Sequence, residues 1–124
     1  MTPLAWAAFA AAAAAGAALR YLVDVAVAER TGGVFPWGTF VINASGSLLL
    51  GLLTGLALYH AFPKTPRVIL GTGFCGAYTT FSTFTFETVR LVEEGAPGRA
   101  FRYALGTLVT GAAAAGVGIA LAAL

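Results

Sequence analysis

Charged residues are scarce in this sequence. Asp, Glu, Lys and Arg make up 10% of its 124 residues, whereas an ordinary soluble domain carries roughly 25%. Hydrophobic residues make up 59%, and so few charges could not cover the surface of a water-soluble core. The composition therefore excludes an ordinary soluble domain and predicts an integral membrane protein in a lipid bilayer.

Cysteine, histidine and clusters of basic residues are scarce as well. Cys75 is the only cysteine, so no internal disulfide can form, and its apolar surroundings predict a small core residue. His60 is the only histidine, and no further metal ligand lies beside it. The seven Lys and Arg residues occur singly or in pairs, so the net charge of +2 indicates no nucleic-acid partner.

Enzyme motifs are absent too. The sequence has no Ser/His/Asp grouping, no metal-ligand cluster and no phosphate-binding Walker loop. Gly71-x-Gly-x-x-Gly76 matches the dinucleotide-binding string, but it lies in an apolar stretch without the strand–helix–strand context that the motif requires. We therefore expect no catalytic activity.

Four apolar stretches separated by short polar loops are present instead. A spanning helix needs roughly 20 mostly apolar residues, which predicts one transmembrane domain with helices at about 4–27, 37–59, 68–91 and 101–124. Met1–Leu19 contains no Lys or Arg, so we expect a retained first helix and not a signal peptide. Because so small a bundle encloses little space, we predict a homodimer with any pore between subunits.

Two charged residues lie near the end of the first predicted helix. Arg20 and Asp24 are four residues apart and can pair on one helical face. One interpretation is a pair of charges that reach the membrane interface from the helix end. The other is a positive charge at the mouth of an anion pathway, and the sequence leaves both open.

The second predicted helix carries small and polar residues on one face, at four-residue spacing: Asn43, Ser47, Gly51 and Gly55. Such faces let helices approach closely in lipid. Asn43 could make an interhelical hydrogen bond or could offer its amide to a pore, and both interpretations stay open.

The stretch from Gly71 to Glu87 is the most unusual part of the chain. It combines three glycines, several hydroxyl side chains and four phenylalanines within one predicted span. The glycines could break the helix and free carbonyl oxygens for Na⁺, or could only permit close packing. In the first case Gly71–Thr79 would be a break and Thr80–Glu87 a resumed helix, and the residues alone leave both interpretations open.

Phe81 and Phe84 are neighbours on one face of that resumed helix. The positive edges of their rings could meet a small anion beside the hydroxyls of Ser82 and Thr83, although plain core packing is the alternative. No Lys or Arg lies between residues 68 and 86, so an anion would be bound without being held by a full charge, as conduction requires. Glu87 would lie at or near the interface, where it could end a helix face or shape an entry vestibule.

The fourth predicted helix aligns polar residues on one face: Tyr103, Thr107, Thr110 and Gly111. Three hydroxyls in line predict a polar track. The alternative is that each Thr hydroxyl bonds the carbonyl four residues back in its own helix.

The charges in the loops do not select one orientation in the membrane. Three basic residues fall on one side and two on the other, namely Arg30, Arg99 and Arg102 against Lys64 and Arg67. Because orientation sorting requires a clear bias, two opposite insertions in one antiparallel dimer are permitted.

Motifs in three of the predicted helices resemble those of the Fluc/CrcB family of fluoride channels. They are Gly16–Tyr21, Gly38–Ser47 and Gly71–Glu87, and they occur in the family's order. The resemblance implies an antiparallel, dual-topology homodimer of all-α subunits, with four membrane-spanning helices each, in the cell membrane. It also implies two pores that export fluoride passively and relieve fluoride toxicity.

The resemblance further implies the site residues. A structural Na⁺ at the dimer interface would be bound by the backbone carbonyls of Gly76 and Thr79, at a break in the third helix. Arg20 and Glu87 would lie at the vestibules. The fluoride pore would comprise Asn43, Phe81, Ser82, Thr83, Phe84, Tyr103, Thr107 and Thr110.

Three positions depart from the family's pattern. Ala77 stands where a second glycine is usual, which implies a stiffer break. Thr85 replaces a common serine and keeps the hydroxyl. Gly111 stands where some members carry serine, which puts the far end of the polar track in doubt.

A small multidrug-resistance-type transporter is the alternative function, because that class also forms four-helix dual-topology dimers. Such transporters require a carboxylate within the first helix to exchange protons for cationic drugs. Leu4–Leu19 carries no acidic residue, and Asp24 lies near the helix end beside Arg20. The sequence therefore favours the channel, and an accessory subunit without transport would leave the rings and hydroxyls of the third helix unexplained.

Overall fold

The computed structural model describes all residues from 1 to 124 and contains helices but no strand. The prediction of an all-helical chain is therefore confirmed. In chain order, the elements are α1 (Pro3–Thr31), α2 (Trp37–Tyr59), α3 (Lys64–Arg67), a π-helical segment (Val68–Cys75), α4 (Gly76–Tyr78), α5 (Ser82–Glu93) and α6 (Pro97–Ala122).

Three helices are long and apolar enough to cross a membrane, namely α1, α2 and α6. The first of them is longer than the sequence pattern indicates, since it has a cap at each end. The Thr2 hydroxyl accepts a hydrogen bond from the Ala5 amide, Pro3 occupies the first turn, and Gly32 ends the helix in a left-handed conformation with φ of 74°.

The third predicted span is divided, and the break lies later than the glycines indicate. Helical backbone continues through the π-helical segment and α4 as far as Tyr78; Thr79 is extended with ψ of 160°, and α5 begins at Ser82. The prediction of a break near the middle of the third helix is therefore confirmed, but its bounds of Gly71–Thr79 are wrong, because only Thr79 of that range leaves the helix. The glycines are accommodated by wider π-helical turns, a local insertion that is common at functional sites.

Close contact between α2 and α6 forms the centre of the bundle. A Cβ atom on Gly51 would overlap the Ala115 carbonyl, and one on Gly118 would overlap the Leu48 carbonyl and lie 2.6 Å from the Leu52 amide nitrogen. The two backbones therefore touch where neither residue has a side chain. The predicted small-residue face of the second helix packs against α6, as helices do in lipid.

The glycines of the third stretch also serve packing. A Cβ on Gly73 would lie 3.2 Å from the Phe9 ring of α1, and one on Gly71 would lie 3.4 Å from Leu50 of α2. Gly76 differs, because it is exposed and a Cβ there would meet nothing within 4 Å. Cys75 is buried among these contacts, which confirms its prediction as a small core residue.

Aromatic residues fill the end of the bundle where α6 begins. Tyr103 is almost fully buried and makes an edge-to-face contact with Phe35, at a centroid distance of 5.5 Å. Phe40 and Phe84 pack against the same cluster. At the other end, the His60 Nε2 atom lies 2.7 Å from the Ala122 carbonyl oxygen and links the ends of α2 and α6.

Candidate functional site

The break in the third helix is held by one side chain of α2. Asn43 donates through Nδ2 to the Thr80 carbonyl and accepts through Oδ1 from the Thr80 amide, both at 2.9 Å. A carboxamide supplies one donor group and one acceptor, so it can satisfy both backbone groups of an unwound residue. Asn43 therefore makes the interhelical hydrogen bonds that were one of its two interpretations.

Thr80 lies in the break, two residues before the resumed helix α5. Its Oγ1 accepts a hydrogen bond from the Thr83 amide at 3.2 Å and donates to Thr83 Oγ1 at 3.0 Å. This bond satisfies one of the free amides at the start of α5, as a capping side chain does. Thr80 is not among the predicted site residues, although a threonine just before a helix is a typical capping residue.

The break leaves the four backbone carbonyls of residues 76–79 free of their helical donors, and the hydrogen bonds of Thr80 and Thr83 account for two of them. In a continuous helix the Thr80 amide would donate to Gly76 and the Thr83 amide to Thr79. Both amides donate elsewhere, so the Gly76 carbonyl receives no hydrogen bond. The Thr79 carbonyl receives only a long one from Arg20 Nη1, at 3.4 Å.

A groove between α2, the break and α6 brings together much of the predicted pore. It has a volume of about 480 Å³ and is lined in part by Asn43, Ser47, Phe81, Phe84, Thr107 and Gly111. The Phe81 and Phe84 rings are 5.9 Å apart with their planes tilted by 43°. Phe81 is 77% exposed, whereas Phe84 packs against the Tyr103 ring at 5.3 Å.

Thr107 has the one buried side-chain polar atom in the chain without a hydrogen-bond partner. Its Oγ1 does not use the carbonyl four residues back, although Thr54 and Thr88 do so in their own helices. The alternative that each Thr hydroxyl of this helix bonds the carbonyl four residues back is therefore wrong for Thr107. Thr107 lines the groove, and the donor of its buried hydroxyl is used by no group of the protein.

Other predicted pore residues lie outside this groove. Thr83 lines a neighbouring cavity with Arg20 and Thr80, while Ser82 is exposed at the start of α5, 3.4 Å from the Thr80 hydroxyl. Thr110 is half-buried on α6 and lines none of the cavities. The predicted polar track of α6 is therefore not continuous within one groove.

Glu87 is bound by two hydroxyl groups. Tyr103 donates to its Oε2 at 2.7 Å and Thr39 donates to its Oε1 at 3.0 Å. No cation pairs with this carboxylate, and it lines a third cavity together with Asp24 and Arg90. Thr39 was missed by the sequence analysis because it is 48 residues from Glu87 along the chain and no spacing connects the two.

The ion pair that the spacing of Arg20 and Asp24 allowed is not formed. The only ion pair in the chain joins Arg90 to Glu94 at 3.0 Å. Asp24 lies against Gly38 of α2, where a Cβ atom would overlap its carboxylate. Arg20 reaches the Thr79 carbonyl instead and brings a positive charge to the break.

Comparison with known proteins covers nearly the whole chain. A family model described as CrcB-like protein, Camphor Resistance (CrcB), matches residues 7–119. The fluoride-specific ion channel FluC 1 of Streptomyces avermitilis is 47% identical over 114 residues, which are 92% of each chain. FluC 1 of Frankia casuarinae is 48% identical over 94% of this chain and 95% of its own. FluC of Nitrobacter winogradskyi is 44% identical, covering 90% of this chain and 91% of its own.

These matches confirm the resemblance that the motifs indicate, and they agree with three helices able to span a membrane. The chain therefore belongs to the CrcB family, as a multi-pass membrane protein and not an enzyme.

Proposed function

We propose that the protein is a fluoride-selective channel through which fluoride leaves the cell passively, so that fluoride toxicity is relieved. The observation that carries the proposal is the groove of α2, the break and α6, whose lining combines two phenyl rings with Thr107, a residue whose buried hydroxyl has no hydrogen-bond partner. The names of relatives at 44–48% identity support the choice of anion.

The lining of the groove suits a small anion that forms strong hydrogen bonds. A fluoride ion must replace its water shell with donors, and the Thr107 hydroxyl has no acceptor within the protein. Phenyl rings add positive edges without a full charge. Because neither Lys nor Arg lines the groove, an anion would be bound and then released, as conduction requires.

Positive potential at the break would attract the anion. The twelve-residue helix α5 begins there, and the amide ends of a helix carry partial positive charge. Arg20 adds a full charge at 3.4 Å from the Thr79 carbonyl, in the cavity beside the groove. We assign this cavity as the vestibule that holds Arg20, and we assign the cavity of Glu87 as a second vestibule.

We further propose an antiparallel, dual-topology homodimer with a structural Na⁺ between the subunits. Na⁺ is bound by oxygen ligands, and carbonyls of broken membrane helices supply them. The carbonyls of Gly76 and Thr79 lack their helical donors, and Gly76 is exposed with open space around it, so a second subunit could approach. When bound, the ion would supply a fixed positive charge that draws the four carbonyls together.

No observation favours the alternative of a proton-coupled multidrug transporter. Apart from Asp24 and Glu29 near its end, α1 contains no acidic residue, and Asp24 packs against Gly38. A carboxylate inside the membrane, able to exchange protons for a cation, is therefore missing from this helix.

Passive ion efflux from liposomes tests the proposal. Purified protein in liposomes loaded with potassium fluoride or potassium chloride is treated with valinomycin, and anion release is followed with ion-selective electrodes. We expect rapid fluoride release and no chloride release above protein-free liposomes. Equal release of both anions, or release of neither, would overturn the channel.

A matched pair of phenylalanines tests the groove itself. Phe81→Ile should slow fluoride efflux, because Phe81 lines the groove, whereas Phe86→Ile should not, because Phe86 is similarly exposed on α5 but lies outside it. Equal rates for the two variants would contradict the assignment of the groove as the pore.

Replacement of Na⁺ tests the cation separately. When N-methylglucamine replaces Na⁺ in detergent solution, we expect the dimer to dissociate at a lower temperature, as measured by size-exclusion chromatography after heating. An unchanged dissociation temperature would refute the cation site and leave the groove untouched.

A further inference from the structure

A second groove lies at the end of the bundle where α6 begins, away from the proposed pore. It has a volume of about 390 Å³ and is lined by Val34, Phe35, Trp37, Arg99 and Arg102. The first three residues precede or begin α2, and the two arginines lie in the first turns of α6. Cations and apolar side chains therefore form its two walls.

The arginine wall has no protein counter-ion. The only ion pair in the chain is that of Arg90 with Glu94, so neither Arg99 nor Arg102 contacts a carboxylate. Arg102 makes one hydrogen bond, from Nε to the Gly98 carbonyl at 3.2 Å, and both side chains are exposed. Two guanidinium groups thus retain donors for an external acceptor.

The N-terminus of α6 adds partial positive charge beside the two arginines. A helix N-terminus carries partial positive charge and is stabilised by acidic residues, yet the first turn of α6 has none and no side chain caps it. The Gly98 amide donates to no acceptor, and a Cβ atom on Gly98 would meet nothing within 4 Å. An anion at this end would therefore compensate the helix end together with both arginines.

The apolar wall indicates what kind of anion fits. Val34 is 70% exposed and Trp37 is 43% exposed, beside the arginines and at the first turn of the membrane-spanning helix α2. Tryptophan is enriched at the level of the lipid headgroups. A water-soluble anion would leave these side chains uncovered, whereas a lipid would cover them with an acyl chain.

We propose that this groove binds an anionic phospholipid, with its phosphate on Arg99 and Arg102 and an acyl chain along Val34 and Trp37. Guanidinium groups bind phosphate oxygens in pairs of parallel hydrogen bonds, and basic pockets at the ends of membrane helices bind acidic headgroups. The site is separate from the fluoride groove and does not depend on the fluoride proposal.

The opposite end of the bundle offers a matched control. Lys64 and Arg67 are also exposed and unpaired, but the cavity at Arg67 contains neither Lys64 nor an aromatic residue. The double variants Arg99→Gln/Arg102→Gln and Lys64→Gln/Arg67→Gln each lower the net charge by two, from +2 to 0. A diffuse attraction to negative lipid would weaken equally in both.

Native mass spectrometry of the full chain in neutral detergent tests the site, with phosphatidylglycerol and phosphatidylcholine added in turn. We expect phosphatidylglycerol to be retained in preference, and its affinity to fall about 30-fold in Arg99→Gln/Arg102→Gln. Lys64→Gln/Arg67→Gln should retain it as the unmodified chain does. Inorganic phosphate should neither be retained nor displace the lipid.

Three results would overturn the proposal. They are equal retention of both lipids, an equal loss of affinity in the two double variants, and displacement of phosphatidylglycerol by inorganic phosphate. A size-exclusion profile of Arg99→Gln/Arg102→Gln that matches the unmodified chain shows that the variant is folded. Normal fluoride efflux from phosphatidylcholine liposomes with lost lipid binding would in addition separate the two sites.

Discussion

The contact between α2 and α6 and the break in the third helix are stabilised by opposite means. At the contact, Gly51 and Gly118 let two helix backbones touch, and the only side-chain hydrogen bond between the two helices, that of His60 with Ala122, lies at their end. At the break, Asn43 and Thr80 supply the hydrogen bonds that the backbone has lost. Shape complementarity maintains the scaffold, whereas a few polar groups maintain the site.

The comparison explains why glycine has different roles in the two regions. Inside a bilayer no water surrounds the apolar side chains, so no hydrophobic effect drives helices together. They associate instead through close packing and hydrogen bonds. At the α2–α6 contact, glycine permits the close packing. The break is specified by hydrogen-bonding side chains, and the glycines before it remain helical. Each region should therefore respond to a different type of substitution.

The largest effect is expected at the scaffold. Gly118→Val should prevent folding, at a cost above about 4 kcal/mol, because the new side chain would overlap the α2 backbone at Leu48. The yield of monodisperse protein by size-exclusion chromatography measures this. Gly116→Ala, two residues away with nothing within 4 Å, is the control and should stabilise α6 by about 0.5–1 kcal/mol. A well-folded Gly118→Val variant would disprove the close contact.

The second-largest loss of stability is expected at the break. Asn43→Leu removes both hydrogen bonds to Thr80 and should cost about 2–4 kcal/mol, since a buried amide and carbonyl lose their partners. The melting temperature in detergent and the rate of fluoride efflux should both fall. Thr54→Val on the same helix removes only a bond to Leu50 within that helix and is the control. If the two variants melt alike, the break does not depend on Asn43.

The two groove phenylalanines should separate stability from conduction. Phe84→Ile should lower stability by about 1 kcal/mol, because the Phe84 ring packs on Tyr103. Phe81→Ile should leave the melting temperature of the subunit unchanged, because Phe81 is largely exposed. Both should slow fluoride efflux. Equal melting temperatures for the two variants would contradict the different packing of the rings.

The smallest effect on stability is expected at Thr107, and the direction of the change tests the prediction. Thr107→Val keeps the shape and removes a buried hydroxyl that has no partner, so stability should rise by about 1 kcal/mol. Fluoride efflux should fall, because the groove loses a donor. A fall in melting temperature would show that the hydroxyl is satisfied within the protein.

Periodic features of the site were predictable from the sequence, and contacts between distant residues were not. The face of Asn43, Ser47 and Gly51 follows from four-residue spacing, and it does line the groove and the α6 contact. The hydrogen-bond partner of Asn43 could not be predicted from this spacing, because Thr80 is 37 residues away along the chain. Spacing along one helix specifies which side chains share a face, but it says nothing about what that face contacts.

The position of the break shows the same limit. Glycine content predicted a weakened helix around Gly71–Gly76, and the structure places the unwound residues after Tyr78. Glycine makes a helix easier to deform, but the backbone unwinds where substitute hydrogen bonds are available. Those bonds come from Asn43 and from Thr80 itself.

The sequence by itself determined a membrane-embedded helical chain, its small-residue faces and its membership in a family, since hydropathy, periodicity and motifs are local along the chain. Only the tertiary structure decided that Arg20 approaches Thr79 and does not pair with Asp24, and that Glu87 is bound by Thr39 and Tyr103. The reason is physical. A polar group inside a bilayer must find its partner wherever packing brings one within reach, and packing is a property of the whole bundle.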